Sequence, residues 1–203
     1  TDRGVTVALG LCDADEADID RAAEAGARMS THLGNGIASH LPRHPNAIWS
    51  QLSDDRLTAS LILDGHHLPR ATARAMIRAK GVARTVLVSD SVTFAGMPPG
   101  RYASPIGGEV EVGAEGRVSV AGTPYLAGSG ACLMDIVCGF PAFTGLPFAD
   151  AVTMACENSA RILGRSCALQ AGAAADFILF EHDGAHDCAR PRDIVLAGER
   201  VGP

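Results

Sequence analysis

Three times before residue 91 a short β-prone run ends in a side chain able to do chemistry: His32 after RMST, His67 after LTASLILDGH and Asp90 after RTVLVS. Between these points lie a few dozen residues that read as a loop followed by a helix. That rhythm restricts the chain to βα units of a parallel sheet. In a parallel barrel the working residues sit at the C-terminal strand ends, because the βα loops build that rim. The spacing predicts a first strand over Val5 to Leu11, apolar throughout and so buried on both faces. A helix over Asp13 to Ala27 and a strand over Arg28 to His32 follow. A long loop over Gly34 to Asp55 holds Pro42, Pro45 and a short helix near Ala47 to Leu52. Leu57 to Leu63 is the third strand, Arg70 to Lys80 a helix stopped by Gly81, and Thr85 to Ser89 the fourth strand. Four βα units are about half of a barrel that typically needs ~250 residues.

After Asp90 the pattern changes. Phe94 to Gly100 is a loop, and EVEVGAEGRVSV alternates apolar and polar residues on both sides of AEG, the signature of a hairpin. Leu126 to Ser129 leads into a helix over Ala131 to Phe140, with Ser129 or Gly130 near its N-cap, and Phe148 to Leu163 is another helix. Short strands return in DFILF and in DIVLAGERV, with a turn at AGE. The organisation expected is an α/β partial barrel over 1–165, with a hairpin insertion near 106–125, and a contribution to a small β domain over 166–203.

A net charge of −6 without any basic run excludes nucleic acid as the expected partner; Arg70, Arg74, Arg78 and Arg84 read as a solvated helix face. No apolar span is long enough to suggest membrane insertion. The six cysteines, Cys12, Cys132, Cys138, Cys156, Cys167 and Cys188, lie in no CxxC spacing and read as reduced, mostly buried thiols of a cytoplasmic protein. The chain starts TDRG rather than with Met, as the C-terminal part of a longer protein would.

A histidine and an aspartate at neighbouring strand ends are the parts of a metal-hydroxide hydrolase. The metal acidifies a bound water, and a carboxylate takes its proton and hands it to the leaving group. In that scheme His32 is a metal ligand and Asp90 the base. Of His66 and His67, successive residues whose side chains diverge, one faces the cavity. Asp64 and Gly65 read as a turn. Arg43 either meets water or, with His44 nearby, grips a phosphate.

The stretches STHLGNG, LPRHP, LILDGHHLP, VLVSDSV, TPYLAGS and NSARILG with AGAAADFILFE, in order and with fitting spacing, resemble N-acetylglucosamine-6-phosphate deacetylases of the amidohydrolase superfamily. The resemblance covers nearly the whole chain and is to the C-terminal half of such an enzyme. It implies the second half of a TIM-type (β/α)8 barrel plus the C-terminal strands of a small β-sandwich domain. It also implies a divalent metal, zinc foremost, an amino-sugar phosphate substrate, and a homodimer or association with the missing half. Position by position, His32 matches a metal ligand and Asp90 the catalytic aspartate. His67 matches a substrate-contacting histidine, and Asn35 and Gly36 the pair whose amides hold the sugar or its phosphate. Arg43 matches an arginine reaching the phosphate in a neighbouring subunit, and Leu126 to Ser129 a stretch lining the pocket. The implied reaction releases acetate from the amino sugar.

One departure matters. Where the family has Gly-His at the end of the first strand, with the histidine a metal ligand, this chain has Gly10-Leu11. An acidic ligand from an earlier strand is absent as well, so His32 stands alone where a catalytic zinc normally has three protein ligands. Cys12 or Asp13 are the neighbours able to compensate. Two rival readings follow: a catalytically dead or truncated homologue, or an amidohydrolase with a different amide substrate.

Overall fold

The computed structural model describes residues 3–182 and 188–202. Four strands, β1 (Val7–Leu9), β2 (Ala27–Ser30), β3 (Thr58–Leu61) and β4 (Thr85–Leu87), form one parallel sheet in sequence order. They are linked by helices α1 (Glu16–Glu24), α2 (Ala47–Ser53) and α3 (Arg70–Lys80). Each step is the crossover that parallel pairing demands, as the spacing predicts.

Local chemistry sets the helix bounds. Asp15 accepts from the Asp18 N–H while Asp18 accepts from the Asp15 N–H, a capping box that starts α1 later than the acidic run suggests. Asn46 caps α2 by accepting from the Ile48 and Trp49 N–H groups. Helix α3 has the expected bounds, because Gly81 (φ 80°) ends it where an L side chain would resist.

The core forms where β3 is covered on both faces. Leu57, Ala59, Leu61 and Ile62 are fully buried; Ala59 and Leu61 pack with Leu33, Leu52, Met76, Ile77 and Leu87 on one side, and Leu57 packs with Ile19, Ala23, Ala27 and Ala47 in a second cluster. By contrast β1 is not the doubly buried strand its composition predicts. It lies at the sheet edge, and Val5 and Val7 face outward among the described residues. The arginine stretch also differs from a plain solvated face: Arg70 donates to the Phe143 and Ala142 carbonyls, and Arg84 pairs with Asp55.

Beyond β4 the predicted hairpin is present as β6 (Glu109–Val112) paired with β7 (Val118–Val120). It is extended to a three-stranded meander by β5 (Gly100–Ala103), a strand that the alternation does not predict. Leu126 to Ser129 stitches this meander to the parallel sheet. Ala127 N–H donates to Val118 O at 3.1 Å on one side, and Ser129 N–H donates to Asp90 O at 2.9 Å on the other. Helix α4 (Leu133–Thr144) has its N-cap at Cys132 rather than at Ser129 or Gly130. The helix expected over Phe148 to Leu163 is present and helical in backbone throughout, as α5 (Phe148–Val152), a π-helical segment (Thr153–Glu157) and α6 (Asn158–Ile162). Asn158 accounts for the placement. Its buried amide donates to Val82 O and Thr85 O at 2.8 and 2.7 Å, tying the helix to the start of β4. The last strands, β8 (Phe177–His182), β9 (Cys188–Leu196) and β10 (Glu199–Gly202), make a third, antiparallel sheet, with the AGE turn at Ala197 and Gly198 as predicted.

The cysteine reading needs correction. Cys12, Cys132, Cys156 and Cys167 are free but exposed, because they fall at a strand end, a helix cap, an outward helical position and a loop. Cys138 is disulfide-bonded. The cysteines therefore give no argument for a reducing compartment.

One buried charge holds α2 in place. Lys80, 2% exposed, donates from Nζ to Gln51 O and Asp54 O at 2.7 Å each, and to Leu52 O at 3.4 Å, closing the carbonyl end of α2. Burial, with Arg84 nearby, pulls its pKa down to about 8, so it is charged at neutral pH. Lys80→Met keeps the volume but leaves these carbonyls unpaired, and is expected to lower unfolding free energy by roughly 2–4 kcal/mol in urea titration. A loss below about 0.5 kcal/mol would show that water replaces the ammonium.

Candidate active site

The strand ends share one backbone feature. Leu11 after β1 (φ 53°), His32 after β2 (φ 29°) and Asp90 after β4 (φ 52°) are left-handed residues other than glycine, and after β3 the same role falls to Gly65 (φ 83°). Such conformations cost of order 1–3 kcal/mol each and persist only where the surroundings impose them. At His32 the imposing groups are visible: its N–H donates to Ser60 Oγ at 2.7 Å, Ser60 Oγ donates to Ser30 O at 3.0 Å, and Leu33 N–H donates to Ser60 O at 2.8 Å. Thus β3 holds the β2 end in its sharp turn.

A hydrogen-bonded polar cluster centres on Asp64, whose Asp-Gly context in the sequence signals only a turn. Its side chain is 1% exposed. Oδ1 accepts the His66 and His67 N–H groups at 2.9 and 3.0 Å. Oδ2 lies 2.8 Å from His67 Nδ1 and accepts from Ser129 Oγ at 2.8 Å. Burial pushes the carboxyl pKa up, but hydrogen bonds from the His67 ring, from the backbone of His67 and His66, and from Ser129 outweigh it. The result lies well below the usual carboxylate range. Asp64 is therefore an ionised acceptor. The His67 side chain, 6% exposed, stands beside it. His66 points elsewhere, as expected of one of the pair, its Nε2 3.2 Å from Glu115 O at the tip of the β6–β7 hairpin.

The other predicted residues are less tightly held. Asp90 is exposed, and its carbonyl is fixed by Ser129. Gly128 (φ 90°) lets that segment approach, since a Cβ there would come within 2.2 Å of Val92. Asn35 turns back on its own loop: its N–H and its side-chain amide both donate to His32 O, at 3.0 and 3.1 Å. Arg43 is exposed in a loop shaped by Asn46, whose amide donates to Pro42 O at 2.9 Å. Cys12 and Asp13 line a cleft of about 630 Å³ with Leu11, Gly36, Ile37 and Leu41, beside His32.

Whether a metal ion fits here turns on His32. Its Nδ1 is buried without a hydrogen-bond partner, as a ligand nitrogen awaiting an ion would be. Yet among the described residues no three His, Cys, Asp or Glu side chains gather to hold an ion. Leu11 stands close by: a Cβ on Gly36 would lie 2.0 Å from Leu11 Cδ2 and 3.5 Å from His32 Cε1. One histidine beside a leucine does not fit a catalytic zinc, which takes three protein ligands. Nor is a cysteine nucleophile offered in its place by Cys132 or Cys156, since partial covering of the sulfur raises both thiols even though the residues are exposed as a whole.

A parallel βα sheet whose ionisable residues share the C-terminal rim, joined to small antiparallel sheets, defines a partial α/β barrel. The chain matches no family model. It is 34% identical over 209 residues to the N-acetylglucosamine-6-phosphate deacetylase of Danio rerio, covering 98% of this chain and 49% of that protein. A putative N-acetylgalactosamine-6-phosphate deacetylase of Escherichia coli (strain K12) is 37% identical over 134 residues, 66% of this chain and 77% of that protein. The crystal structure of N-acetyl-D-glucosamine-6-phosphate deacetylase from Mycobacterium smegmatis superposes with a TM-score of 0.88 at 32% identity, covering 99% of this chain and 53% of that one. The chain belongs to the N-acetylglucosamine-6-phosphate deacetylase family and is similar to its C-terminal half. It spans about half the length of the Danio rerio and Mycobacterium smegmatis proteins.

The Asp64 network makes a pH prediction. A carboxyl whose folded pKa is depressed contributes stability that is fully present above its unfolded value, about 4, and is lost as the pH falls toward the folded value. Acid titration of the folded chain should show destabilisation below about pH 4, and Asp64→Asn should flatten that limb. An unchanged limb in the variant would assign acid sensitivity to other carboxylates.

Proposed function

We propose that this chain carries the substrate-facing half of a deacetylase site for an amino-sugar phosphate. The observation that carries it is the gathering of His32, the Asp64-held His67 and Asp90 at successive C-terminal strand ends of one sheet, in a chain whose relatives are named for that substrate class. In this reading Asp90 takes a proton from the attacking water and returns it to the departing amine, as one exposed carboxylate at a rim can. His67 contacts the sugar. The amides of Asn35 and Gly36 hold the sugar or its phosphate, and Asn35 must release His32 O to use its side chain. Arg43, exposed and on a shaped loop, reaches the phosphate in a neighbouring copy, which makes the working unit a homodimer. An amino-sugar phosphate does not cross membranes unaided, so the compartment proposed is the cytoplasm. No helix among the described residues is long and apolar enough to cross a membrane.

A second reading is favoured by one observation, Leu11 beside His32 and Gly36: a homologue that binds the sugar phosphate without hydrolysing it. The two readings part on metal. The 203-residue chain, dialysed, is expected to retain far less than one zinc per chain, and Leu11→His to raise zinc affinity, both read by metal analysis. Unchanged zinc binding in Leu11→His would show that this strand end is not the metal site. The substrate class is tested separately. Arg43→Ala should weaken binding of N-acetylglucosamine 6-phosphate by roughly tenfold, about 1.4 kcal/mol, and leave unphosphorylated N-acetylglucosamine unaffected. Equal effects on both sugars would remove phosphate from the reading.

A further inference from the structure

We propose that Asp64 is a positioning residue that fixes His67 in one tautomer, with the proton on Nδ1 and the lone pair on Nε2, so that His67 meets its ligand as a hydrogen-bond acceptor. The ligand group recognised there is then a donor, a sugar hydroxyl or an amide N–H, and not a carbonyl oxygen. This rests on the reading of His67 as a ligand contact, but its physical content does not.

The two carboxylate oxygens have separate duties. Oδ1 is engaged by two backbone N–H groups, those of His66 and His67, which cannot rotate away. That fixes the carboxylate plane and leaves Oδ2 for the His67 ring at 2.8 Å and the Ser129 hydroxyl at 2.8 Å. An ionised carboxylate can only accept, so Nδ1 must carry the proton. In the neutral form of the ring the lone pair is then on Nε2, which makes no hydrogen bond among the described residues. The ring cannot turn to exchange its nitrogens without stripping a donor from a carboxylate that is 1% exposed. Ser129, reaching Asp64 from beyond the meander, gives the network a second anchor. A histidine oriented by a carboxylate on one nitrogen and acting through the other is a recurrent arrangement.

The test uses the seven histidines of the intact chain, labelled with nitrogen-15 and observed by long-range proton–nitrogen correlation at alkaline pH, with the His67 signal identified by its absence in His67→Gln. Expected is a protonated, pyrrole-type Nδ1 and a pyridine-type Nε2. A proton on Nε2 in the unaltered chain overturns the proposal without any variant. In Asp64→Asn the oxygen must stay on the two backbone donors, which puts the amide NH₂ against His67 Nδ1 and should reverse the two resonance types. An unreversed pattern in the folded variant also overturns it. Ser129→Ala, which removes a partner from the same Oδ2 without offering a new donor, should leave the tautomer unchanged, and a reversal there overturns the assignment to Asp64. Adding N-acetylglucosamine 6-phosphate separates this proposal from the functional reading. A shift confined to Nε2 supports both. No shift at His67, with the Asp64→Asn reversal present, leaves the positioning role standing and removes the substrate contact.

Discussion

Burial of the third strand is the constraint from which the rest of the molecule follows. Leu57, Ala59, Leu61 and Ile62 lose all contact with water, and a fully buried aliphatic side chain contributes about 1.5–3 kcal/mol. A strand sealed on both faces cannot leave its polar groups to solvent, so what it carries at its end must be paired inside the structure. Ser60 meets this by bridging to the β2 end, and Asp64 meets it by collecting four donors. The geometry of the candidate site is in this sense a by-product of keeping β3 dry.

Legibility in the sequence tracked how local each cause was. Helix α3 could be read residue for residue because its stop, Gly81, is a neighbour in the chain. The β6–β7 hairpin could be read because alternation and turn are both local. Strand β1 departs from the expectation because apolar composition reports what a strand can tolerate, while its actual cover depends on sheet order. The π-helical widening within Phe148–Ile162 is not legible, since Asn158 acts on carbonyls more than seventy residues away. The site shows the same division. His32, His67 and Asp90 could be picked out as strand-end residues, whereas Asp64 was hidden inside a turn signature that its spacing to His67 alone does not distinguish from a ligand-orienting carboxylate. Ser129 was hidden likewise, since a serine before a helix reads as a cap.

Leu11 shows that shape and chemistry at the rim have separate causes. The left-handed conformation found at His32 and Asp90 is kept at Leu11, although a leucine there gains nothing from it chemically. The backbone thus retains the shape of a functional strand end while the side chain supplies only apolar contact to Gly36. Shape at this rim is imposed by the sheet and its hydrogen bonds, and chemistry is a separate choice made at one atom. That separation is why one fold can host many chemistries.

The meander stitched between β4 and α4 has two ends that obey different rules. At the Glu115 turn, the Gly116 carbonyl sits where a side chain on Gly130 would have to go, and the Glu115 carbonyl meets His66. At the opposite end, Ile106 is almost wholly exposed and a side chain on Gly107 or Gly108 would meet nothing. Length changes among descendants of this chain should therefore accumulate around residue 106 and be purged around residue 115, so that a single small sheet would drift freely at one tip while staying frozen at the other.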